Sequence, residues 1–331
     1  MQLQGHDVLL RQVASLTGSM PGDVPIDESV RNALPEGTTA MSAYRFGQSA
    51  WSLTAKINAV DKHGDPTAFF LKYVPGDLGQ MQLEGEFVGM TELHKAAPTF
   101  VPRPIGLGKL KSVDPSSHFL LVEFKDFTPV LPDPVKLDLR RRAPAAVGLD
   151  PSWTSFFSKL LAEAYRQDME TNGLWPELDA VYLKVQSQLI PRLIGALEAD
   201  GREVKPVLIH GDMWDGNIGT ESSTGDPWIF DCAAYYGHNE MDLGIWRAER
   251  HQLRSKVYRR EYLRNMEPSE PEEEWDDRNR LYSAKTNFMH SACFAGSPAR
   301  QQTFDDFVFL LRKYFPDMSD TTERNNIEQG E

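Results

Sequence analysis

Three oxygen-bearing side chains near the middle of the chain have the types and spacing that phosphoryl chemistry needs. His210, Asp212 and Asn217 stand in the segment Leu208–Gly219 (LIHGDMWDGNIG) in the order H-x-D-x-x-x-x-N, and Asp231 follows the short apolar run Trp228–Phe230. An Asp just after a short strand can hold a substrate hydroxyl and accept its proton. An Asn five residues on can loop back and offer a neutral amide oxygen to Mg2+, and Asp231, at the end of the next strand, supplies a second carboxylate. Magnesium takes hard oxygen ligands and keeps waters, so two side chains plus nucleotide phosphates suffice. The His-Gly-Asp triplet alone is weak, because Gly-Asp is ordinary turn chemistry. Asn217 and Asp231 at these positions carry the reading.

That spacing is the one found in the catalytic loop of protein kinases and their relatives. Such a reaction also needs a cation on the phosphates, held by a carboxylate. Lys72 sits inside the apolar run Ala68–Val74 (AFFLKYV), where an unpaired ammonium is costly; its alternative is a solvated lysine on an edge strand. Of the two acids on the following helix, Glu86 is chosen as partner because Met90 and Leu93 place its neighbours on the packed face, with Glu84 as fallback. A phosphate-covering loop should precede Lys72 by a hairpin, and Phe46–Trp51 (FGQSAW) occupies that place. Gly47 and Ser49 would contact phosphate through backbone amides and a hydroxyl, or the segment is a simple turn. His118–Phe124 (HFLLVEF) would lead into a hinge between lobes, with Glu123 and Phe124 beside the adenine.

The elements that must position these groups fall into two parts. Trp51–Val60 and Ala68–Val74 read as strands joined across the turn residues DKHGDP, followed by a helix over Leu83–Ala96 and a strand over His118–Phe124. Thr128–Pro134, with three prolines, reads as a connector. Beyond it, Trp153–Arg166 and Pro176–Ala199 carry core stripes at helical spacing, Val207–Ile209 and Trp228–Phe230 are short strands, and helices run from Asp242 to the end around an acidic stretch, Glu267–Asp277. The expected architecture is α+β: a two-lobed, protein kinase-like fold with a small sheet-containing N-lobe over 1–125 and a larger, mainly helical C-lobe over 126–331.

Composition narrows the alternatives. The chain has 331 residues, 40% of them hydrophobic and 25% charged, as in ordinary globular proteins. No apolar run approaches the ~18–20 residues that span a bilayer, so no membrane association is expected. Lys and Arg number 35 against 48 Asp and Glu, a net charge of −13 that argues against nucleic acid as a partner. Cys232 and Cys293 can make neither a disulfide framework nor a cysteine-based zinc site. The opening MQLQGHDVLLRQV lacks a signal-peptide pattern, so a cytoplasmic location with reduced thiols is expected. Arg140–Arg142 is a short basic run, read as a solvated turn or as a contact with a protein surface.

HGDMWDGN followed by IFDCAAYYGHNEMDLG resembles the fructosamine/ketosamine-3-kinase family, within the aminoglycoside phosphotransferase-like kinases. Trp214 after the HGD triplet and the string Gly237-His238-x-Glu240-x-Asp242 set that family apart from antibiotic and choline kinases. The strand Lys72, EGEFVGM (Glu84–Met90), VPRPIGLG (Val101–Gly108), FLLVEF and NRLYSAKTNFMHSACF (Asn279–Phe294) agree, so the resemblance covers roughly 40–315. It implies ATP and Mg2+ as cofactors, Asp212 as catalytic base, Asn217 and Asp231 as metal ligands, and Lys72 with Glu86 as the phosphate-orienting pair. Trp214 would stack on the sugar, or be a core residue. His238 and Glu240 would shape the acceptor side, or clamp a loop, and Asp242 would buttress a helix start.

The implied reaction is phosphorylation of the sugar 3-hydroxyl of a ketosamine, a ribulosamine or fructosamine on a protein lysine or a free amine, in deglycation or repair. Glycated proteins or small ketosamines are then the partners, and the acceptor's protonated amine would meet an acidic site. Asp215, where the family has small residues, would add charge near the acceptor or face solvent. The nucleotide loop lacks the cysteine that some members use for redox pairing. The alternatives are a small-molecule kinase of the aminoglycoside or choline type and a pseudokinase acting as a binding module. The oligomeric state is left open.

Overall fold

A computed structural model describes residues 22–47, 52–111, 116–137 and 152–316. Among these, one compact unit holds the residues through Leu137 together with Gly216–Tyr235; the other holds those from 152 to Asp215 and from Tyr236 onward. A single cut near residue 125 therefore misses that the segment carrying Asn217 and Asp231 packs with the N-terminal sheet.

In the first unit, helix α1 (Glu28–Ala33) precedes strands β1 (Thr39–Arg45), β2 (Leu53–Val60) and β3 (Pro66–Pro75). Helix α2 (Gly76–Ala96) and strands β4 (Pro104–Lys109) and β5 (Ser117–Glu123) follow. All strand pairs are antiparallel, in the order β1-β2-β3-β5-β4. The β2–β3 turn is stapled by the Asp61 carboxylate, which accepts the N–H of His63 at 2.8 Å and of Asp65 at 2.9 Å. Ala55, Ile57, Leu71, Tyr73, Phe119 and Leu121 alternate onto one face and form a core with Ile26 and Val30. Lys72, between Leu71 and Tyr73, therefore points to the other face, where Glu86 of α2 meets it. A three-stranded sheet of Phe127–Thr128, Ile218–Glu221 and Pro227–Ile229 completes the unit.

The second unit is mostly helical: α3 (Trp153–Asn172), α4 (Pro176–Lys184), α5 (Lys256–Asn265), α6 (Trp275–Cys293) and α7 (Ala299–Tyr314). Ser152 caps α3, and the Trp153 indole donates to the Tyr282 hydroxyl of α6 at 2.8 Å. The run expected over Pro176–Ala199 is one path but not one regular helix. Pro191 has no N–H and crowds the carbonyl one turn back, so the run passes through a π-helical turn at Val185–Leu189 and ends in a 3-10 turn at Gly195–Glu198. The stretch after Asp242 is likewise a chain of 3-10 turns up to Arg254 before α5 begins. The basic run Arg140–Arg142 lies outside the described residues.

Candidate active site

In the first unit, β3 is a central strand, with Lys72 opposite Thr54 of β2 and Leu120 of β5, which removes the edge-strand alternative. The Lys72 ammonium donates to Glu86 Oε2 at 2.8 Å and to Asp231 Oδ1 at 2.6 Å. Lys72 is 5% exposed and Glu86 7%. Burial alone would lower the amine's pKa, but the two carboxylates outweigh it and hold Lys72 above its ordinary value, fully charged. Glu84, the fallback, is exposed and accepts from Gln80.

Asp231 takes a left-handed backbone conformation, φ 56°, at the end of the strand Pro227–Ile229. Asp tolerates that region better than most residues, and such conformations collect at functional turns. Its side chain is half exposed, although one oxygen is on Lys72. The Asn217 amide nitrogen donates to the Asp231 carbonyl at 3.1 Å, and Phe230 N–H donates to the Asn217 carbonyl at 3.0 Å. The two expected metal ligands are thus tied to each other through the backbone. The donor set, an amide oxygen and a carboxylate already answering one cation, fits the hard-oxygen demand of Mg2+.

Sequence reasoning missed Gly89. A Cβ there would lie 2.7 Å from the Ala234 Cβ and 3.1 Å from the Cys232 sulfur, so α2 rests directly on the turn that carries Asp231. The signal was present in EGEFVGM, a second glycine in a helix that would otherwise avoid it. Cys232 is sealed in this contact, and burial pushes its thiol up to about 12.

Ser49 lies outside the described residues, whereas Gly47 is described and adopts φ 76° beside the Thr54 hydroxyl, which donates to the Phe46 carbonyl. Phe124 packs edge-on to Phe46 with centroids 5.0 Å apart, and the Lys56 ammonium lies 4.2 Å from its ring centre. The backbone N–H groups of Glu123 and Phe124 are spent on the carbonyls of Arg103 and Ala68.

In the second unit, the loop after Val207–Ile209 is pinned from several sides. Asp242 accepts the N–H of His210 at 2.8 Å and of Gly211 at 2.7 Å. Gly211 sits at φ 80°, His210 Nδ1 takes the Asp212 N–H at 3.3 Å, and the Trp246 indole donates to the Met213 carbonyl at 2.7 Å. Asp242 is thus a buttress, as expected, but of this loop rather than of a helix start. Asp212 is half-buried, and Trp214 is 37% exposed, which excludes a core role. The Trp214 ring lies 5.5 Å from the ring of His251. Asp215 neither faces solvent nor stands free: its Oδ1 lies 3.1 Å from His251 Nδ1 and accepts the Gln252 N–H.

His238 and Glu240 differ from the acceptor-shaping expectation. His238 uses one ring nitrogen on the Tyr282 hydroxyl and the other on the Ser269 hydroxyl. Both Glu240 oxygens are held by Arg278, which is fully buried and also donates to the carbonyls of Ser269 and Pro271. The pair is the loop clamp, its polar capacity consumed inside the fold. The sequence marked Glu240 but not its partner Arg278, thirty-eight residues away.

Two cations that sequence reasoning also missed stand on the Asp212 side. Arg250 donates from Nη1 to Asn287 Oδ1 at 2.8 Å, and Lys285 is 6% exposed. Asp212 acts electrostatically on both. Asp242 acts on Lys285 as well, so cations and acids stand together here.

Comparison with known proteins places the fold first. A Thermobifida fusca structure provisionally assigned as a fructosamine-3-kinase superposes with a TM-score of 0.63 at 20% identity, covering 92% of this chain and 98% of its own. The aminoglycoside phosphotransferase APH(4)-Ia, solved with AMP-PNP and hygromycin B, superposes with a TM-score of 0.56 at 12% identity, over 84% and 95%. The fold is the kinase-like one of these phosphotransferases, with an antiparallel sheet region followed by a helical region. In sequence, residues 146–307 match the model of the fructosamine kinase family. The chloroplastic protein-ribulosamine 3-kinase of rice (Oryza sativa subsp. japonica) is 29% identical over 203 residues, 55% of this chain and 56% of the relative, so the match spans about half of that protein's length. The resemblance drawn from the motifs is thus found again by sequence and by fold.

Proposed function

We propose that the protein is an ATP-dependent ketosamine 3-kinase, transferring the γ-phosphoryl group of ATP to the 3-hydroxyl of a ribulosamine or fructosamine. The observation that carries this reading is the buried Lys72 held by Glu86 and Asp231, residues 14 and 159 positions away in sequence. A lysine so fixed is a permanent cation suited to nucleotide phosphates.

Asp212 orients the sugar hydroxyl and takes its proton as the oxygen–phosphorus bond forms. The bond from the γ-phosphorus to the bridging oxygen breaks, and ADP leaves with the electron pair. Asn217 and Asp231 would hold Mg2+, which supplies charge neutralisation at the phosphates. Trp214 offers a flat apolar face to the sugar. Most of the rate gain is positioning and electrostatics. A phosphate on C3, the carbon next to the C2 ketone, is a good leaving group: loss of a proton from the amine-bearing C1 gives an enaminol whose electrons expel phosphate from C3, and water hydrolyses the resulting iminium at C1, freeing the amine. No helix among the described residues is long and apolar enough to cross a membrane. We place the reaction in the cytoplasm, where both thiols stay reduced.

The test is ATP turnover with Mg2+ on ribulosyl-lysine, fructosyl-lysine, choline and kanamycin, each alone. Turnover on a ketosamine and not on the last two is expected. Turnover on choline or kanamycin alone would replace this reading with the small-molecule kinase, and binding of ATP without turnover on any acceptor would replace it with the binding module.

A further inference from the structure

Asp215 and His251, in the second unit, form a pair that the proposed reaction leaves without a task. Asp215 Oδ1 lies 3.1 Å from His251 Nδ1 and also accepts the Gln252 N–H at 3.2 Å. The Asp215 side chain is 16% exposed and that of His251 9%, so the contact is largely shielded from water. The imidazole is thereby oriented, with its Nδ1–H donating to the carboxylate. One carboxylate oxygen takes donors from two successive residues, which fastens 251 and 252 to the loop that follows Val207–Ile209.

The same imidazole backs Trp214. The two ring centres are 5.5 Å apart, with the planes inclined by 48°. The indole is nonetheless 37% exposed, so it rests on His251 and leaves much of its surface open. Its backbone is fixed as well: the Trp214 N–H donates to the Asp212 carbonyl at 3.1 Å, and the Met213 carbonyl takes the Trp246 indole N–H at 2.7 Å. A large aromatic side chain left open on a loop pinned this tightly is a surface held ready for a ligand.

We propose that Asp215 and His251 are positioning residues that hold the Trp214 indole as a preorganised platform for the sugar of the acceptor. This rests on the ketosamine 3-kinase reading and specifies which residues set recognition of the sugar. A sugar presents a C–H face that packs on an aromatic plane. With the platform bonded to the Asp212 carbonyl, sugar recognition and proton removal share one rigid loop. An indole free to change rotamer would lose that freedom on binding; holding it beforehand removes a cost worth about 2- to 10-fold in affinity. The other task open to the pair is purely structural, fastening 251 and 252 to the loop, and that task would be the same with or without Trp214.

The experiment is a double-mutant cycle read in steady-state kinetics with ribulosyl-lysine and ATP. Trp214→Ala is expected to raise the KM for ribulosyl-lysine about 10-fold and to leave that for ATP unchanged. Asp215→Ala and His251→Ala each raise the KM for ribulosyl-lysine about 2- to 10-fold in the parent background, and add nothing once Trp214 is replaced by alanine. Asp215→Asn, whose amide oxygen still accepts both N–H groups, stays near the parent. Equal effects with and without Trp214 overturn the proposal by reducing the pair to a structural fastening. A parent-like KM in Trp214→Ala also overturns it, and that exposed position tolerates the change whether or not the other variants fold. Both results leave the kinase reading intact, because turnover persists. Absence of phosphorylation of ribulosyl-lysine by the parent protein overturns both readings together.

Discussion

Lys72 shows how a single residue can be structural and functional at once. Its ammonium bridges the buried carboxylate of Glu86 and the half-exposed carboxylate of Asp231. Removing one member of a buried ion pair leaves the others uncompensated, at a cost on the order of 3 kcal/mol. Lys72→Met should therefore lower the denaturation midpoint as well as abolish turnover. Adding Glu86→Gln to it should restore much of the stability and none of the turnover; chemical denaturation and an ATP assay on the same two samples separate the effects. Lys72, Glu86, Asn217 and Asp231 were legible because chemistry fixes their spacing along the chain and an unpaired lysine in an apolar strand demands a partner. His238 and Glu240 were legible as important but not as a clamp, because a sequence string does not say which way its polar groups face. Arg250 and Lys285 were invisible: nothing local distinguishes them from solvated residues.

The elements explain why the pair holds its geometry. Helix α2 starts seven residues before the periodicity predicts, because Gly76 and Gly79 disguise its first two turns, and its register delivers Glu86 inward while Glu84 faces solvent. Gly89 lets that helix touch the turn bearing Asp231. Gly89→Val forces the two apart; overpacking of this kind costs about 1–3 kcal/mol. The expected result is a larger fall in kcat/KM than in stability, since a shift of α2 moves Glu86 and with it Lys72; a melting curve beside steady-state kinetics measures both. Strands β2, β3 and β5 were legible from alternation and β-branched or aromatic content. β1 and β4 were not, because β1 buries only Ala43 and shows no clean alternation, and β4 contains two glycines.

At the scale of the whole molecule, acid should destabilise the fold partly through histidine. His290 is held down to about 4 by burial and by the charges of Arg250 and His251. The unfolded chain takes up that proton near its ordinary ~6.5, so stability is lost progressively as pH falls from about 6.5 to about 4, and none of the loss from this group remains above that window. His290→Gln should show a smaller drop in Tm between pH 7 and pH 5 than the parent protein, measured by thermal melts at matched ionic strength. The division of labour between the units was only half readable in advance. The sequence separates a strand-rich start from a helical end, yet Gly216–Tyr235 returns to the first unit by long-range packing, which periodicity does not report.

Catalysis turns on Asp212 taking a proton from a sugar hydroxyl during phosphoryl transfer. Phosphorus NMR of the reaction with ribulosyl-lysine, run with the parent protein and with Asp212→Asn, tests it most directly. A sugar 3-phosphate is expected from the parent and a rate about 10²- to 10⁴-fold lower from the variant, with ATP binding kept. A variant that forms the same product at the parent's rate would contradict it.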